Sequence, residues 1–189
     1  DAHFWTQKIQ LAYQYRQQLG LSVLSATNVF RLINAEGDGL PGLIIDWYNG
    51  TAVIQCHSKA MNAQKEKFVE ILKQGYGDRL NAVYDKSAAT LHHKTESETQ
   101  NPMYTDGYLF GKATEKTILE NGHKFRVDWE QGQKTGFFID QRDNRKLLAE
   151  YVRNKKVLNT FCYSGGFSVY ALNAEASLVH SVDSSTKAI

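Results

Sequence analysis

Apolar positions recur at near-helical spacing at the start of the chain: Trp5, Ile9, Ala12 and Leu19. This predicts a helix over 4–19, stopped by Gly20. The period then changes. Val29 to Ile33, Leu43 to Tyr48 and Thr51 to His57 are short apolar runs between Gly- and Asn-rich turns, which reads as strands. The link Ala35-Glu36-Gly37-Asp38-Gly39-Leu40-Pro41-Gly42 is a tight, glycine-punctuated connection. Asn49-Gly50 signals a hairpin, because both residues tolerate positive φ. Residues 59–74 read as a helix with Met61, Phe68, Ile71 and Leu72 on one side, and Leu80 to Tyr84 as a further strand. Lys86 to Thr117 is long, polar and without clear periodicity. A loop of that length inside a compact domain is uncommon and often functional. A second hairpin turns at Asn121-Gly122. Its return strand alternates Phe125, Val127 and Trp129 with Lys124, Arg126 and Asp128, so one face is expected on a core.

Beyond Gln131-Gly132-Gln133 the pattern is different. Asp140 is placed to cap a helix running to about Tyr151, with Asp143 in a capping-box-like position. Leu147, Leu148, Tyr151 and Val152 give that helix an apolar side. Lys156 to Phe161 is a buried-type strand, Ser164-Gly165-Gly166 a turn, and Phe167 to Leu172 the start of a helix. Leu178 to Val182 is the next strand, and it ends in Asp183. Strand, glycine turn, helix, strand and terminal acid open a doubly wound sheet. The expected organisation is a connecting helix (1–24), a small α+β central domain (25–130) and the first part of an α/β domain (131–189).

Composition narrows this picture. The chain has 189 residues, 42% of them hydrophobic and 22% charged, which is ordinary for a globular protein. A net charge of +2 neither requires nor excludes a nucleic-acid partner. The two cysteines, Cys56 and Cys162, are too few for a disulfide framework and lie in no zinc-like cluster. They suit a reducing, cytoplasmic compartment. No apolar run is long enough to span a membrane, and the first residues do not read as a signal peptide.

The glycine turn and Asp183 suggest a nucleotide-type site. A carboxylate at the tip of the second strand can accept both ribose hydroxyls of an adenosine cofactor, and glycines let the backbone approach it. NAD and FAD carry a pyrophosphate and use G-x-G-x-x-G, which is absent here. S-adenosylmethionine (SAM) has no phosphate and needs no such cradle, so the turn favours SAM. Two plainer readings stay open: a glycine turn used only for packing, and Asp183 as a cap for the segment from Ser184.

Val157-Leu158-Asn159-Thr160-Phe161-Cys162-Tyr163-Ser164-Gly165-Gly166-Phe167-Ser168-Val169 resembles the first SAM motif of the large-subunit ribosomal RNA cytosine C5-methyltransferase family. Lys134-Thr135-Gly136-Phe137-Phe138-Ile139-Asp140-Gln141-Arg142-Asp143-Asn144-Arg145 resembles the cofactor motif that precedes it, and Gly37 to Asp46 the glycine link of the central domain. The three motifs keep the family's order and spacing.

The resemblance implies an RNA-binding domain of PUA type, a central α+β domain and a Rossmann-like methyltransferase domain. This chain corresponds to the connecting helix, the central domain and only the first two strands of the last. It implies that Phe161, Tyr163, Gly165 and Gly166 border SAM and that Asp183 holds its ribose. Phe138, Asp140, Gln141 and Arg142 are implied to lie near the cofactor. For Asp140 a helix cap is the competing role, and for Arg142 and Arg145 a solvated or salt-bridged helix face.

The implied chemistry is covalent: a cysteine thiolate adds to carbon 6 of the pyrimidine, carbon 5 attacks the methyl group, and a base removes the carbon-5 proton. The target base must leave its stack. The family's catalytic cysteine and its Asp-Pro-Pro segment belong to later strands and are not in this chain, so no catalytic residue is assigned. Cys56 reads as a buried strand thiol, and Cys162 does not match the nucleophile's position. Residues 1–189 are therefore expected to be inactive alone and to bind SAM weakly. Two strands cannot cover both faces of a parallel sheet. Either a second copy covers them, as a homodimer, or the native product continues.

Large-subunit rRNA is the implied partner. Lys86, His92, His93, Lys94 and Lys112, with Tyr104, Tyr108 and Phe110, could contact phosphates and stack on bases. The alternative is a solvated loop partly neutralised by Glu96, Glu98 and Asp106. His92-His93 is not expected to bind metal, since adjacent side chains diverge. Lys86-Ser87-Ala88 stands where the family often has Arg-Ser-Asp, which weakens a substrate role for that stretch. Competing functions are a non-catalytic RNA-binding module with a degenerate pocket and a methyltransferase acting on a guanine nitrogen.

Overall fold

The structure, a computed structural model, describes residues 2–22, 25–91 and 104–185. It divides into two compact units, Asp1–Leu119 with Arg126–Phe137 and Glu120–Phe125 with Phe138–Ile189.

In the first unit, α1 (Ala2–Gln18) ends two residues before Gly20, which takes a left-handed φ of 75°. The next elements are β1 (Val29–Asn34), β2 (Leu43–Tyr48), β3 (Thr51–Cys56), α2 (Lys59–Asn62), α3 (Lys65–Tyr76), β4 (Ala82–Asp85) and β5 (Gly107–Gly111). The strands form one mixed sheet in the order β1-β2-β3-β4-β5. β3 and β4 are parallel and the other neighbours antiparallel. A parallel pair needs a crossover, and α3 lies within it. The β2–β3 turn has Asn49 and Gly50 at φ 44° and 94°, as the dipeptide predicts.

Two expectations change here. The helix over 59–74 is broken between α2 and α3, and the restart puts Lys65 in the interior, where its Nζ bonds Asp85 Oδ2 at 2.7 Å. The segment 86–117 contains β5, whose short run Tyr108-Leu109-Phe110 pairs with β4. Of the residues weighed in that segment, His92, His93, Lys94, Glu96 and Glu98 lie outside the described residues.

The core of this unit is aromatic and aliphatic. Phe30, Leu32, Ile33, Leu43, Ile45, Trp47 and Ile54 are fully buried. Trp47 stacks on Tyr76 at 4.3 Å, and Trp5 meets the Phe68 ring edge-on at 5.4 Å. Buried charge is paired. Arg31 forks onto Asp46 at 2.9 and 3.2 Å, and Thr135 donates to the same carboxylate at 2.6 Å. Arg16 clamps Asp38 with both terminal nitrogens, fixing α1 beside the turn after β1.

β6 (Thr117–Glu120) and β7 (His123–Arg126) form a separate hairpin. The alternation read for 124–129 holds in burial: Phe125, Val127 and Trp129 are buried, while Lys124, Arg126 and Asp128 are exposed.

The second unit contains α4 (Arg142–Ala149), β8 (Lys156–Thr160), α5 (Gly166–Asn173) and β9 (Leu178–Val182). β8 and β9 are parallel, with Thr160 opposite Val182. Two features depart from the expected pattern. β8 is not a buried strand, since Leu158 is 66% exposed. On α4 and just beyond it, Leu147 and Tyr151 are exposed, while Arg145 and Val152 are buried. The apolar side read from the leucines is thus only partly the packed side. The residues that face inward, Arg145, Leu148 and Val152, follow the helical i, i+3, i+7 spacing.

Candidate functional site

β8 ends at Thr160 and α5 begins at Gly166, and the backbone between them is strained. Phe161, Tyr163 and Gly165 take φ of 56°, 49° and 73°. Left-handed conformations in two aromatic residues cost on the order of 1 kcal/mol each and persist only where surroundings hold them. Here three hydrogen bonds do so. The Cys162 amide donates to the Val182 carbonyl at 3.1 Å, and the Gly165 amide to the Cys162 carbonyl at 2.8 Å. The Tyr163 amide donates to Asp183 Oδ2 at 2.9 Å. The Phe138 ring meets Tyr163 edge-on at 5.2 Å.

Asp183 therefore points at the bend after β8. Its other oxygen accepts the Ser185 amide at 2.9 Å. Backbone donation from Ser185 and then Tyr163 holds the carboxyl below its ordinary pKa. The group is thus ionised at neutral pH, and each oxygen has further lone pairs to offer a hydroxyl. The Ser185 bond is an Asx-type turn, so Asp183 serves the following segment and the loop together.

Side-chain bonds fix the loop's base. Asn159 on β8 donates to Ser168 on α5 at 2.8 Å, and Ser168 shares a 2.7 Å hydrogen bond with Ser181 on β9. The Phe161 ring is left 86% exposed. The structure thus brings Phe138, Tyr163, Gly165, Gly166 and Asp183 around one bend. Asp140 and Gln141 lie on the turn that leads into α4, and Arg142 is the helix's first residue. Gln141 contacts Asp140 and Asn144, and Arg142 contacts Asp143 at 3.0 Å. Asp140 does not cap α4. Gln141 holds the cap position without a side-chain bond to the helix backbone, because a 3-10 turn over Ile139–Gln141 intervenes.

Sequence reasoning missed one feature. Arg145 and Glu120 form a buried bidentate pair, Nε to Oε1 and Nη2 to Oε2, both at 2.7 Å. The signal was available: Arg145 shares a helical face with Leu148 and Val152.

Of the aromatic residues weighed for RNA stacking, Tyr104 packs against the core of the first unit, and Tyr108 and Phe110 are engaged within it. Tyr108 donates to Glu130 at 2.7 Å and packs edge-on to Tyr84, and Lys73 lies 5.2 Å from the Phe110 ring. Lys86 donates to the Gly132 carbonyl. The solvated alternative is also modified, since Asp106 accepts the Ala88 amide at 2.7 Å. Neither cysteine has the surroundings of a nucleophile. Cys56 is fully buried, and desolvation pushes its thiol up to about 12. Cys162 is buried beside the Tyr163 carbonyl.

Residues 31–189 match the family model for S-adenosylmethionine-dependent methyltransferase. The chain belongs to the SAM-dependent methyltransferase family. The chain is 39% identical to ribosomal RNA large subunit methyltransferase I of Photobacterium profundum, over all of this chain and 46% of that protein. Two solved structures match over the whole chain and 46% of their own length, each with a TM-score of 0.81 and 26% identity. One is a candidate SAM-dependent methyltransferase from Streptococcus mutans, the other SMU.776, a candidate methyltransferase complexed with SAH. The chain thus spans about half the length of the relatives it matches. The resemblance read from the three motifs agrees with these findings, and SAM is the family's cofactor. Among the described residues no group of acids, histidines and cysteines is arranged to hold a metal, and no helix is long and apolar enough to cross a membrane.

The bend suits SAM on its own chemistry. An ionised carboxylate faces the loop, an aromatic ring is exposed beside it, and the bend lacks the G-x-G-x-x-G pattern that cradles a phosphate.

Proposed function

We propose that the protein containing this chain methylates carbon 5 of a cytosine in large-subunit ribosomal RNA, with SAM held on the bend 161–166 and by Asp183. The observation that carries the site is the Asp183 carboxylate folded onto the Tyr163 amide. That bond fixes an ionised acceptor beside a backbone already committed to a strained shape. The rRNA substrate is supported by the relative's name, and the cytosine carbon by the motif resemblance.

SAM supplies an electrophilic methyl group when bound. The chain's own residues bind and orient. Asp183 accepts the ribose hydroxyls, Phe161 offers a ring face, and the Gly165-Gly166 backbone admits close approach. Phe138 sets the Tyr163 ring from the side. The β8–α5–β9 unit is the opening of a Rossmann-like sheet. The motif resemblance puts Asp140, Gln141 and Arg142 near the same cofactor.

Neither thiol of this chain serves as nucleophile, so residues 1–189 alone do not transfer methyl groups. A thiol pushed up to about 12 is the reverse of an activated cysteine. The free cysteines suit a reducing cytoplasm.

The test is methyl transfer from labelled SAM to large-subunit rRNA by the intact protein, followed by mass spectrometry of the nucleosides. The expected product is 5-methylcytidine. A methylated guanine, or no incorporation into rRNA, would overturn the reading.

A further inference from the structure

Arg145 and Glu120 are 2% and 0% exposed. Besides its two bonds to Glu120, the guanidinium donates from Nη2 to the Phe138 carbonyl at 2.9 Å. Its stem lies against the start of α5: a Cβ placed on Gly166 would sit 3.1 Å from Arg145 Cδ. Its head lies 5.9 Å from the Phe167 ring. Glu120 is also held by Tyr170 of α5, which donates to Oε1 at 3.1 Å, and Asn121 donates to the Tyr170 hydroxyl at 2.9 Å. One side chain thus touches both segments that carry candidate cofactor residues, the backbone at Phe138 and the Gly165-Gly166 turn.

Stability alone does not account for such a pair. Burying two charges costs desolvation, and well-packed apolar replacements are often neutral or better. The guanidinium fork instead fixes direction, since two parallel bonds to a carboxylate leave it one orientation. That orientation sets where the Phe138 carbonyl and the first residue of α5 stand.

We propose that Arg145 and Glu120 are positioning residues for the cofactor site, clamping Phe138 and Gly166 into the arrangement that accepts SAM. This rests on the reading of the 161–166 bend as the SAM site. Neither residue touches the cofactor. They act through the loop, and their loss is felt in affinity beyond any loss of stability.

Two variants of the intact protein separate positioning from support, with SAH affinity read by calorimetry and stability by thermal unfolding. Arg145→Met combined with Glu120→Leu removes both charges while keeping apolar bulk. It should unfold near the wild-type temperature yet bind SAH about tenfold or more weakly. Arg145→Lys keeps the charge and loses the fork. It should weaken SAH in the same sense, and it decides the matter where the double variant does not fold. Wild-type SAH affinity in Arg145→Lys, or in a folded double variant, would overturn the clamp and leave the site reading intact. Failure of the wild-type protein to bind SAH would overturn the site reading and the clamp with it.

Discussion

The sheet of the first unit and the strand pair of the second are built from similar residues and are buried very differently. In β2 and β3, Leu43, Ile45, Trp47 and Ile54 are inaccessible to solvent. In β8 and β9, Leu158, Leu178 and Val182 are 66%, 43% and 52% exposed. All these strands carry the residues that favour extended chain. Local pattern sets that a strand forms; what lies over its faces sets how much the strand contributes. The two units treat charge alike, however. Asp46 in the first and Glu120 in the second are both fully buried, and both accept an arginine fork.

The largest effect should come from breaking a fork. Arg145→Ala leaves Glu120 buried and unpaired, a loss of about 3–5 kcal/mol in urea unfolding. A loss below about 1 kcal/mol would show that water reaches the carboxylate. Next comes the sheet of the first unit. Ile54→Ala should cost about 2–5 kcal/mol, because a fully packed side chain leaves a cavity.

A smaller effect concerns pH. The Cys56 thiol is pushed up to about 12 by burial, while an unfolded cysteine ionises near a pKa of about 8.5. Above that lower value the unfolded chain releases a proton that the folded one keeps, so stability falls as pH rises from about 8.5 toward 12. Cys56→Ala should flatten this alkaline slope. An unchanged slope would assign it to other groups.

The smallest effect sharpens the contrast most. In the 189-residue chain, Leu158→Ala should shift stability by less than about 0.5 kcal/mol, since its side chain already meets solvent. A cost matching that of Ile54→Ala would erase the distinction between the two sheets.

Much of the fold could be read along the chain where signals are local. The first helix, β1 to β3, both Asn-Gly turns and the passage from Gly166 to Asp183 follow from spacing and turn chemistry. The cases that escaped depend on distant partners. β5 is five residues with only three apolar ones in a row, and it forms because β4 offers an edge. The break before α3 accompanies the turn of Lys65 onto Asp85, twenty residues away. Arg145 reads as a surface charge until Glu120, twenty-five residues earlier, is placed against it. The candidate site was legible to the extent that Asp183 and the bend were paired in advance. The strain at Phe161 and Tyr163 was not, since neither residue type announces a left-handed backbone.

The central claim is that the Asp183 carboxylate receives the ribose of SAM. Calorimetric titration of the intact protein and of Asp183→Ala, each with SAH and with its 2′,3′-dideoxy analogue, tests it directly. The wild-type protein should prefer SAH by about ten- to a hundredfold, the worth of hydroxyls bonded to a charged acceptor, and Asp183→Ala should bind the two alike. Equal preference for SAH in both proteins would contradict the account.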